Sequence, residues 1–184
     1  MADKKNPPTQ PSLIGRKVYL RVLTADDVPT VHRWRIQSEL QSLSCHPVVF
    51  RTPEEASDAY QKREPAADMQ RFAIVRLNND TLVGMVSYFN YNDLNRSAEL
   101  GLIVDPDERR HGFGKEGVRL LAGYLFQYRG LNKVYGQTAA FNKPTVKLLE
   151  KSGFKLDATL RDHYFYEEEY HAGLIYSLLS FEFD

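Results

Sequence analysis

The stretch that decides the fold runs from Leu100 to Leu120 and reads LGLIVDPDERRHGFGKEGVRL. Its first five residues form an apolar run suited to a strand, which Pro106 ends because proline cannot donate to a sheet ladder. A basic loop with glycines follows, and from Gly112 onward apolar residues recur at helical spacing. The stretch therefore predicts a strand, a glycine loop and a helix in direct succession.

The predicted loop has the chemistry of an anion site. Gly112 and Gly114 can adopt a positive φ or let a ligand approach the backbone. The first N–H groups of the following helix lack acceptors within the helix and lie at its positive end. Arg109, Arg110 and Lys115 add positive charge. Together these features favour binding of a diphosphate, although a tight turn on a solvated basic loop would use the same residues.

Length and composition narrow the class of protein. The 184 residues suit one domain, and 24 basic residues balance 24 acidic ones. The zero net charge argues against a generic nucleic-acid binder, and no apolar run approaches the roughly 18–20 residues of a membrane span. Residues 1–12 carry charges and prolines without an apolar signal region, so we expect a flexible tail, a single domain over 13–184 and a cytoplasmic location.

Metal and disulfide chemistry find no support in the sequence. Cys45 is the single cysteine, which excludes an internal disulfide and a cysteine-based zinc cluster. The histidines have no metal-ligand spacing, and none is assigned as a ligand; they are His32, His46, His111, His163 and His171.

Hydrophobic periodicity outlines the elements before the glycine loop. Residues 17–23 alternate as a strand, Thr24 caps a helix that runs to about Gln37, and Thr52-Pro53 begins a second helix. Three strands then form an antiparallel meander with a hairpin turn at its first connection. We predict these strands at residues 71–77, 82–89 and 98–104.

The elements after the loop complete one sheet. The helix from Gly112 ends near Gly130, and the strand it leads to, 133–138, should lie parallel to the third meander strand. Asn142 caps another helix that ends at Gly153, and two closing strands follow near 154–162 and 172–182. The fold class is therefore α/β (α+β), with one mixed sheet and helices on its faces.

Other phosphate-binding motifs do not fit the loop. Gly112-x-Gly114-x-x-Gly117 matches the letters of a dinucleotide fingerprint, but a meander precedes it and residues 132–138 supply no acid for the ribose. A Walker loop fails because Glu116 follows the lysine, and the kinase motifs are missing.

The segment Arg109-Arg-His-Gly-Phe-Gly114, placed after a strand, resembles the acyl-CoA loop of the GNAT N-acetyltransferase superfamily, whose motif is Gln/Arg-x-x-Gly-x-Gly/Ala. Residues 20–27 and the segment Asn142–Phe154 are also similar to GNAT segments, so the resemblance covers nearly the whole chain after the tail. The closing segments 160–163 and 174–179 resemble the RimJ/RimL branch of ribosomal-protein N-terminal acetyltransferases, to which spermidine acetyltransferases are closely related.

The resemblance implies a mostly antiparallel sheet whose parallel pair splays apart to admit acetyl-CoA. In that reading the backbones of Leu102, Ile103 and Val104 bind the pantetheine amides, and Asn142 reaches the cofactor near its sulfur or orders a water there. Asn142 is equally explained as a plain helix cap. The diphosphate would lie on the loop backbone of Arg109, Arg110, His111, Gly112, Phe113, Gly114 and Lys115.

The implied reaction is attack of an amine on a thioester, for which the amine must be neutral. Glu99 precedes the pantetheine-binding residues and is the candidate base, with a solvent-facing or ion-paired glutamate as the alternative. A backbone N–H from residues 102–104 would stabilise the oxyanion. An α-amino group, with a pKa of about 7.7–8.0, needs less help to lose its proton than a lysine-type amine, whose pKa is about 10.4.

The proton donor for the leaving thiolate departs from the family pattern. Leu149 stands where many GNAT members carry tyrosine, which weakens the polyamine hypothesis. Thr145 stands where the terminal acetyltransferase branch has serine, and its hydroxyl could contact the sulfur or only bond its own helix. Tyr164 and Tyr176 are the alternative donors.

The hypothesis from sequence is thus an acetyl-CoA-dependent N-acetyltransferase acting on a peptide or protein N-terminus or a small primary amine. Residues 36–52 and 163–171 are expected to contact the acceptor. A polyamine or amino-sugar acetyltransferase and a non-catalytic acyl-CoA sensor stay open as alternatives. The sequence leaves the oligomeric state open, with a homodimer as one option, and indicates neither a nucleic-acid nor a membrane partner.

Overall fold

The computed structural model describes residues 13–37, 49–62 and 68–183, so the tail predicted over 1–12 lies outside the described residues. The strands and helices follow one another as β1 (Val18–Val22), α1 (Val28–Gln37), α2 (Pro53–Gln61), β2 (Gln70–Arg76), β3 (Leu82–Asn92), β4 (Ser97–Val104), α3 (Phe113–Gln127), β5 (Lys133–Ala139), α4 (Lys143–Lys151), β6 (Lys155–Tyr166) and β7 (Glu169–Leu179). Short 3₁₀ turns precede α1, link β4 to α3 and follow β7.

The strands form one seven-stranded sheet in the order β1-β2-β3-β4-β5-β7-β6. Strands β1 to β4 pair antiparallel in sequence order. The pair β4–β5 is parallel because the connection between them crosses through α3. The mixed, mostly antiparallel sheet predicted from the sequence is confirmed.

Each face of the sheet carries its own hydrophobic core. On one face the larger core joins the sheet to α3, where Leu121 and Leu125 are fully buried, and to α4 through Leu149. On the other face α1 packs over the middle strands through Val31 and Trp34. Because side chains alternate along a strand, each residue of β4 faces one core or the other.

The closing hairpin is longer than the sequence predicted. Strand β6 continues to Tyr166 and β7 already begins at Glu169, so the intervening turn is short. Glu167 and Glu168 both have positive φ, at 50° and 63°, as tight hairpin turns require. Strand β7 ends at Leu179, where a 3₁₀ turn replaces the last residues predicted as strand.

The entry into α1 is fixed by a buried ion pair. Arg21 on β1 binds both carboxylate oxygens of Asp27, at 2.6 and 2.8 Å, and the Thr24 N–H donates to the same carboxylate. Burial opposes ionisation of Asp27, but the hydrogen bonds from Arg21 and Thr24 outweigh it and hold its pKa below the usual value. The pair ties the base of α1 to the edge of the sheet.

Two absences apply to the described ranges alone. None of their helices is long and apolar enough to cross a membrane. No three His, Cys, Asp or Glu side chains in those ranges lie together as a metal site. Cys45 and His46 fall in the gap 38–48, outside the described residues.

Candidate functional site

The loop from Asp105 to Gly112 has an unusual backbone. The Asp105 side chain accepts from the Asp107 N–H at 3.1 Å and starts a 3₁₀ turn. Arg110 then has a φ of +69° and Gly112 a φ of +86°, after which α3 begins. Backbone turns of this kind point successive N–H groups to one side, and the N-terminus of a helix adds further N–H donors there.

The start of β1 holds this loop from a distant part of the chain. Lys17 Nζ donates to the carbonyl of His111 at 3.0 Å. Glu116, in the first turn of α3, accepts from the backbone N–H groups of Arg16 and Lys17. The segment before β1 therefore contacts both the loop and the helix start. Sequence reasoning missed Lys17 and Glu116, since 94 residues separate Lys17 from His111.

An aromatic stack supports the other side of the loop. Phe113 is buried, with the guanidinium of Arg76 at 5.1 Å from its ring centre and the His111 ring stacked on it at 5.6 Å. Arg76 also forms an ion pair with Glu108. The side chains of His111 and Phe113 thus build the loop, and their backbone groups carry any contact to an anion.

Gly114 permits a close approach between helix and sheet. A Cβ at this position would lie 2.9 Å from Cγ2 of Val104 and 3.0 Å from Cδ1 of Leu148. The close packing at Gly114 therefore favours a residue without a large side chain, while the positive φ of Gly112 favours glycine. The two glycines of the motif have different physical roles.

Strands β4 and β5 stop pairing at Glu99, and β4 then continues to Val104, where the loop begins. They pair only at Ser97–Lys133, Ala98–Val134 and Glu99–Tyr135. Beyond that point β4 stays paired with β3 down to Val104, while β5 stays paired with β7. In the described sheet, the β5-facing edge of β4 from Leu100 onward has no strand partner, which leaves a gap between the two strands.

The walls of this gap contain a buried polar atom without a partner. Thr138 on β5 is 2% exposed, and its Oγ1 makes no hydrogen bond within the described residues. Continuing the register of the three pairs would set Thr138 opposite Leu102. A buried hydroxyl without a partner costs free energy, about 1–3 kcal/mol, unless a ligand supplies the bond.

Helix α4 closes one side of the gap. The buried Asn142 caps it, since its Oδ1 accepts from the Thr145 N–H at 3.3 Å. The half-buried Thr145 lies in the first helical turn. Leu149, further along α4, is buried, and its Cδ2 lies 3.8 Å from the place that a Cβ at Gly136 would take. The wall that Leu149 forms beside β5 is thus apolar.

The face of the sheet toward α1 and α2 is polar around the gap. Glu99 accepts a hydrogen bond from Asn90 Nδ2 at 3.0 Å. Burial, followed by the charge of Glu99, raises the pKa of Tyr135, while a hydrogen bond with Asn90 opposes the rise. Gln137 Nε2 donates to the Tyr164 hydroxyl at 3.0 Å and lies 2.7 Å from His163 Nε2.

The two alternative tyrosines have hydrogen-bond partners on opposite faces of the sheet. Tyr164 accepts from Gln137 on the α1/α2 face. Tyr176 is buried on the opposite face and donates its hydroxyl to Glu150 Oε1 at 3.1 Å, and burial followed by that contact raises its pKa. Tyr176 therefore ties β7 to α4.

The closing hairpin reaches past the end of β5. The Phe141 ring stacks on Tyr166 at 4.6 Å and meets the His171 ring edge-on at 4.9 Å. This aromatic contact lies beside Asn142 and brings the acidic turn of Glu167 and Glu168 near the start of α4. The predicted acceptor segment 163–171 thus borders the split, whereas much of 36–52 lies outside the described residues.

Comparison with known proteins identifies the family. Residues 17–155 match the family model described as Acetyltransferase (GNAT) domain. The spermidine N(1)-acetyltransferase of Vibrio cholerae is 26% identical over 157 residues, covering 85% of this chain and 90% of the relative. YdaF of Bacillus subtilis, named as a candidate ribosomal N-acetyltransferase, is 26% identical over 177 residues, or 93% of this chain and 96% of the relative.

A solved structure shares the fold. Spermidine N-acetyltransferase from Vibrio cholerae in complex with CoA and spermine superposes with a TM-score of 0.81, at 23% identity, over 90% of this chain and 97% of that one. The chain belongs to the GNAT acetyltransferase family. It is an N-acetyltransferase whose cosubstrate is acetyl-CoA.

The structure fits that cosubstrate. A long, thin thioester needs a slot with free amide partners, which the β4–β5 gap offers, and its diphosphate needs N–H donors, which the loop offers. Of the residues predicted for the site, 102–104 lie on the stretch of β4 that is not paired with β5, and Glu99 belongs to the last β4–β5 pair. Residues 109–115 span the loop and the start of α3, and Asn142 and Thr145 lie at the start of α4.

Proposed function

We propose that the β4–β5 gap holds acetyl-CoA and that a primary amine attacks its thioester from the α1/α2 face. The observation that carries this proposal is the end of β4–β5 pairing at Glu99 and Tyr135, which leaves the rest of β4, as far as the start of the glycine loop, without a strand partner on its β5 side. The loop backbone from Arg109 to Lys115 would bind the diphosphate, as its positive φ values and helix start favour. Lys17 would add a cation beside Gly112.

The pantetheine arm is proposed to replace the missing strand partner of β4. Leu102, Ile103 and Val104 would supply backbone groups from one wall. Thr138 would donate or accept from the other wall, which would satisfy its buried hydroxyl. Asn142 would contribute near the sulfur end in addition to its capping bond.

The proposed chemistry uses the upper end of the gap. Acetyl-CoA, when bound, supplies the thioester carbonyl that accepts the amine. Glu99 would take the proton from the attacking nitrogen, directly or through a water. A backbone N–H within 102–104 would stabilise the oxyanion, and the Thr145 hydroxyl would contact the departing sulfur.

A small aliphatic polyamine is the acceptor we favour. The spermidine acetyltransferases of Vibrio cholerae and Escherichia coli each match over 85% of this chain. Three carboxylates would line the proposed acceptor route, Glu99 where the strands part and Glu167 and Glu168 at the hairpin turn. Several carboxylates suit an acceptor with several ammonium groups.

A peptide or protein N-terminus is the second candidate, through the RimJ/RimL branch. Thr145 stands where that branch has serine, and Leu149 replaces the tyrosine that polyamine relatives generally retain. YdaF, which covers 93% of this chain, supports the same candidate.

Thiol release from acetyl-CoA, measured against spermidine, terminal peptides and amino sugars, tests the acceptor. We expect the highest kcat/KM with spermidine. A higher value with a terminal peptide would overturn the polyamine proposal in favour of the second candidate. Binding of CoA without release for any acceptor would identify a sensor and overturn both.

Self-association is expected in solution. The Vibrio cholerae spermidine acetyltransferase has been solved as a dodecamer, and its fold matches at 24% identity with a TM-score of 0.75. We propose a homodimer for this chain. Sedimentation equilibrium tests it, and a purely monomeric distribution at micromolar concentration would contradict it.

A further inference from the structure

Three side chains on three adjacent strands converge where β4 and β5 part. Asn90 on β3 donates to Glu99 on β4 at 3.0 Å, and the Asn90 side chain also acts to lower the pKa of Tyr135 on β5. Glu99 and Tyr135 are the last directly opposed pair of the two strands. Because adjacent strands lie about 4.8 Å apart, the tips of these long side chains are within reach of each other. We call Asn90, Glu99 and Tyr135 the vertex triad.

The backbone is distorted to bring Asn90 into this triad. Asn90 has a φ of +51°, which is uncommon for a residue other than glycine. The pairing of β3 with β4 shifts register between Phe89 and Asn92, so Asn90 lies in a bulge. Bulges re-aim side chains beside active sites, and such backbone strain is typical of functional positions.

The triad also occupies the place where a proton donor is needed. The wall of α4 presents Leu149, which has no proton to give, and Tyr176 is committed to Glu150 on that side of the sheet. Tyr135 is the tyrosine at the upper end of the gap, directly opposite Glu99. A departing thiolate at this end of the slot would meet its hydroxyl.

Resting on the proposed function, we infer that Tyr135 is a further catalytic residue, whose hydroxyl gives a proton to the departing sulfur and recovers one from Glu99. The C–N bond forms as the amine adds to the thioester carbonyl, which gives a tetrahedral oxyanion. The oxyanion then re-forms the C=O bond as the C–S bond breaks, and the electron pair of the C–S bond stays on sulfur. Glu99 takes a proton from the attacking nitrogen, Tyr135 gives its own to sulfur, and the Glu99 carboxylic acid then reprotonates the phenolate. The products are the acetylated amine and the free thiol, so protons and electrons balance.

The electrostatics of the site keep Tyr135 protonated. Its pKa is raised by burial and then by Glu99, so the phenol enters each cycle as an acid. Among the described residues, the charged groups that face it from neighbouring strands are Glu99 on β4 and the Lys133–Asp157 ion pair on β5 and β6. Asn90 on β3 and Ser177 on β7 contribute neutral hydrogen-bonding groups.

The first test replaces the hydroxyl alone. Tyr135→Phe should lower kcat about 100-fold, with the Kd for CoA unchanged and with loss of the alkaline limb of the kcat profile. Tyr128→Phe, on the exposed end of α3, is the matched control and should keep wild-type kcat. Wild-type kcat in Tyr135→Phe would overturn the catalytic role of Tyr135. It would leave the proposed function intact, provided that the wild-type protein acetylates an acceptor.

A double variant separates a relay from a structural role. If Glu99 and Tyr135 act as one unit, Glu99→Gln combined with Tyr135→Phe should be no slower than the slower single variant. If the loss of kcat in the double variant equals the product of the two single losses, the relay is overturned.

A spectroscopic test needs no acceptor. With 3-fluorotyrosine at position 135, the ¹⁹F resonance should report a phenol pKa that falls when Glu99 is changed to glutamine. The same label at position 128 should not respond. An unchanged pKa at position 135 would overturn the coupling between Tyr135 and Glu99, whether or not the protein turns over any acceptor. A lack of turnover with every acceptor would count separately, against the proposed function.

Discussion

The two sides of the β4–β5 gap are built in opposite ways. The side proposed for the cofactor comes mostly from one continuous run, residues 100–115, with additions from Lys17, Thr138 and the first turn of α4. The side proposed for the acceptor gathers Glu99, Gln137 and the closing hairpin from distant parts of the chain. The cofactor side offers mainly backbone groups, whereas the acceptor side offers side chains.

This difference indicates how one scaffold can keep a cosubstrate and change its acceptor. Backbone N–H and C=O groups are independent of residue type, so a strand edge and a helix start need only the right geometry. Side chains on the other face can be exchanged without moving that geometry. Four predictions test the contrast, and the largest expected effect comes first.

Gly112→Val should raise the Kd for CoA at least about 100-fold. Valine at a φ of +86° is strained, and its side chain would project into the loop that is proposed to bind the diphosphate. Titration calorimetry measures the change. Gly130→Val controls for strain alone, because Gly130 has a φ of +64° in the turn before β5 and should leave the Kd unchanged. Wild-type affinity in Gly112→Val would remove the loop from the cofactor site.

Glu99→Gln should lower kcat about 100-fold while the Kd for CoA stays constant. The loss should be greatest at low pH, where the amine is hardest to deprotonate. Initial rates across a pH series give the result. Asp93→Asn, in the exposed turn between β3 and β4, should behave as wild type. Full activity at every pH would exclude Glu99 as the base.

Arg21→Met should lower the free energy of unfolding by about 2 kcal/mol, less than for a fully buried pair because Arg21 is partly exposed. The pKa of Asp27 is lower in the folded state than in the unfolded state, so its ionisation stabilises the fold at pH values above the unfolded pKa. This stabilisation is lost as the pH falls through the folded-state pKa. The gap between wild type and variant should therefore narrow in acid.

Denaturant unfolding at several pH values measures this difference in the free energy of unfolding. Lys62→Met is the control, since Lys62 and Asp58 form an exposed pair at 3.8 Å and its loss should change little. Equal stability of Arg21→Met and wild type at neutral pH would show that the ion pair does not hold the base of α1.

The smallest effect is expected at the hairpin turn. Changing Glu167 and Glu168 together to glutamine should raise KM for spermidine about threefold to fivefold, because exposed charges attract a cation weakly. The Kd for CoA should not change. High salt should erase the difference between variant and wild type by screening. A KM that is insensitive to both the substitutions and the salt would locate the acceptor elsewhere.

Local sequence signals predicted the strand, glycine loop and helix around residues 100–120, and the structure contains them within a few residues. The same signals gave the caps at Thr52 and Asn142, since a cap is a contact between near neighbours. They could not give Lys17 as a partner of His111, because the contact depends on how α3 lies across β1.

The vertex triad could not be predicted from the sequence, for a similar reason. The sequence predicts a strand over residues 82–89, but β3 continues through Asn90 with a bulge that aims its side chain at Glu99. A bulge is decided by the competition between strand pairing and the following turn, which no local pattern specifies. Tyr135 likewise becomes notable only when β4 and β5 are seen to part beside it.

By itself, the sequence determined the order of elements, the presence of the glycine loop and the family, because periodicity, capping and glycine requirements are local. Only the tertiary structure decided where β4 leaves β5, which face Glu99 occupies and which buried hydroxyl stays without a partner. Those features arise from the balance of packing between two cores and one sheet, in which every segment constrains the others.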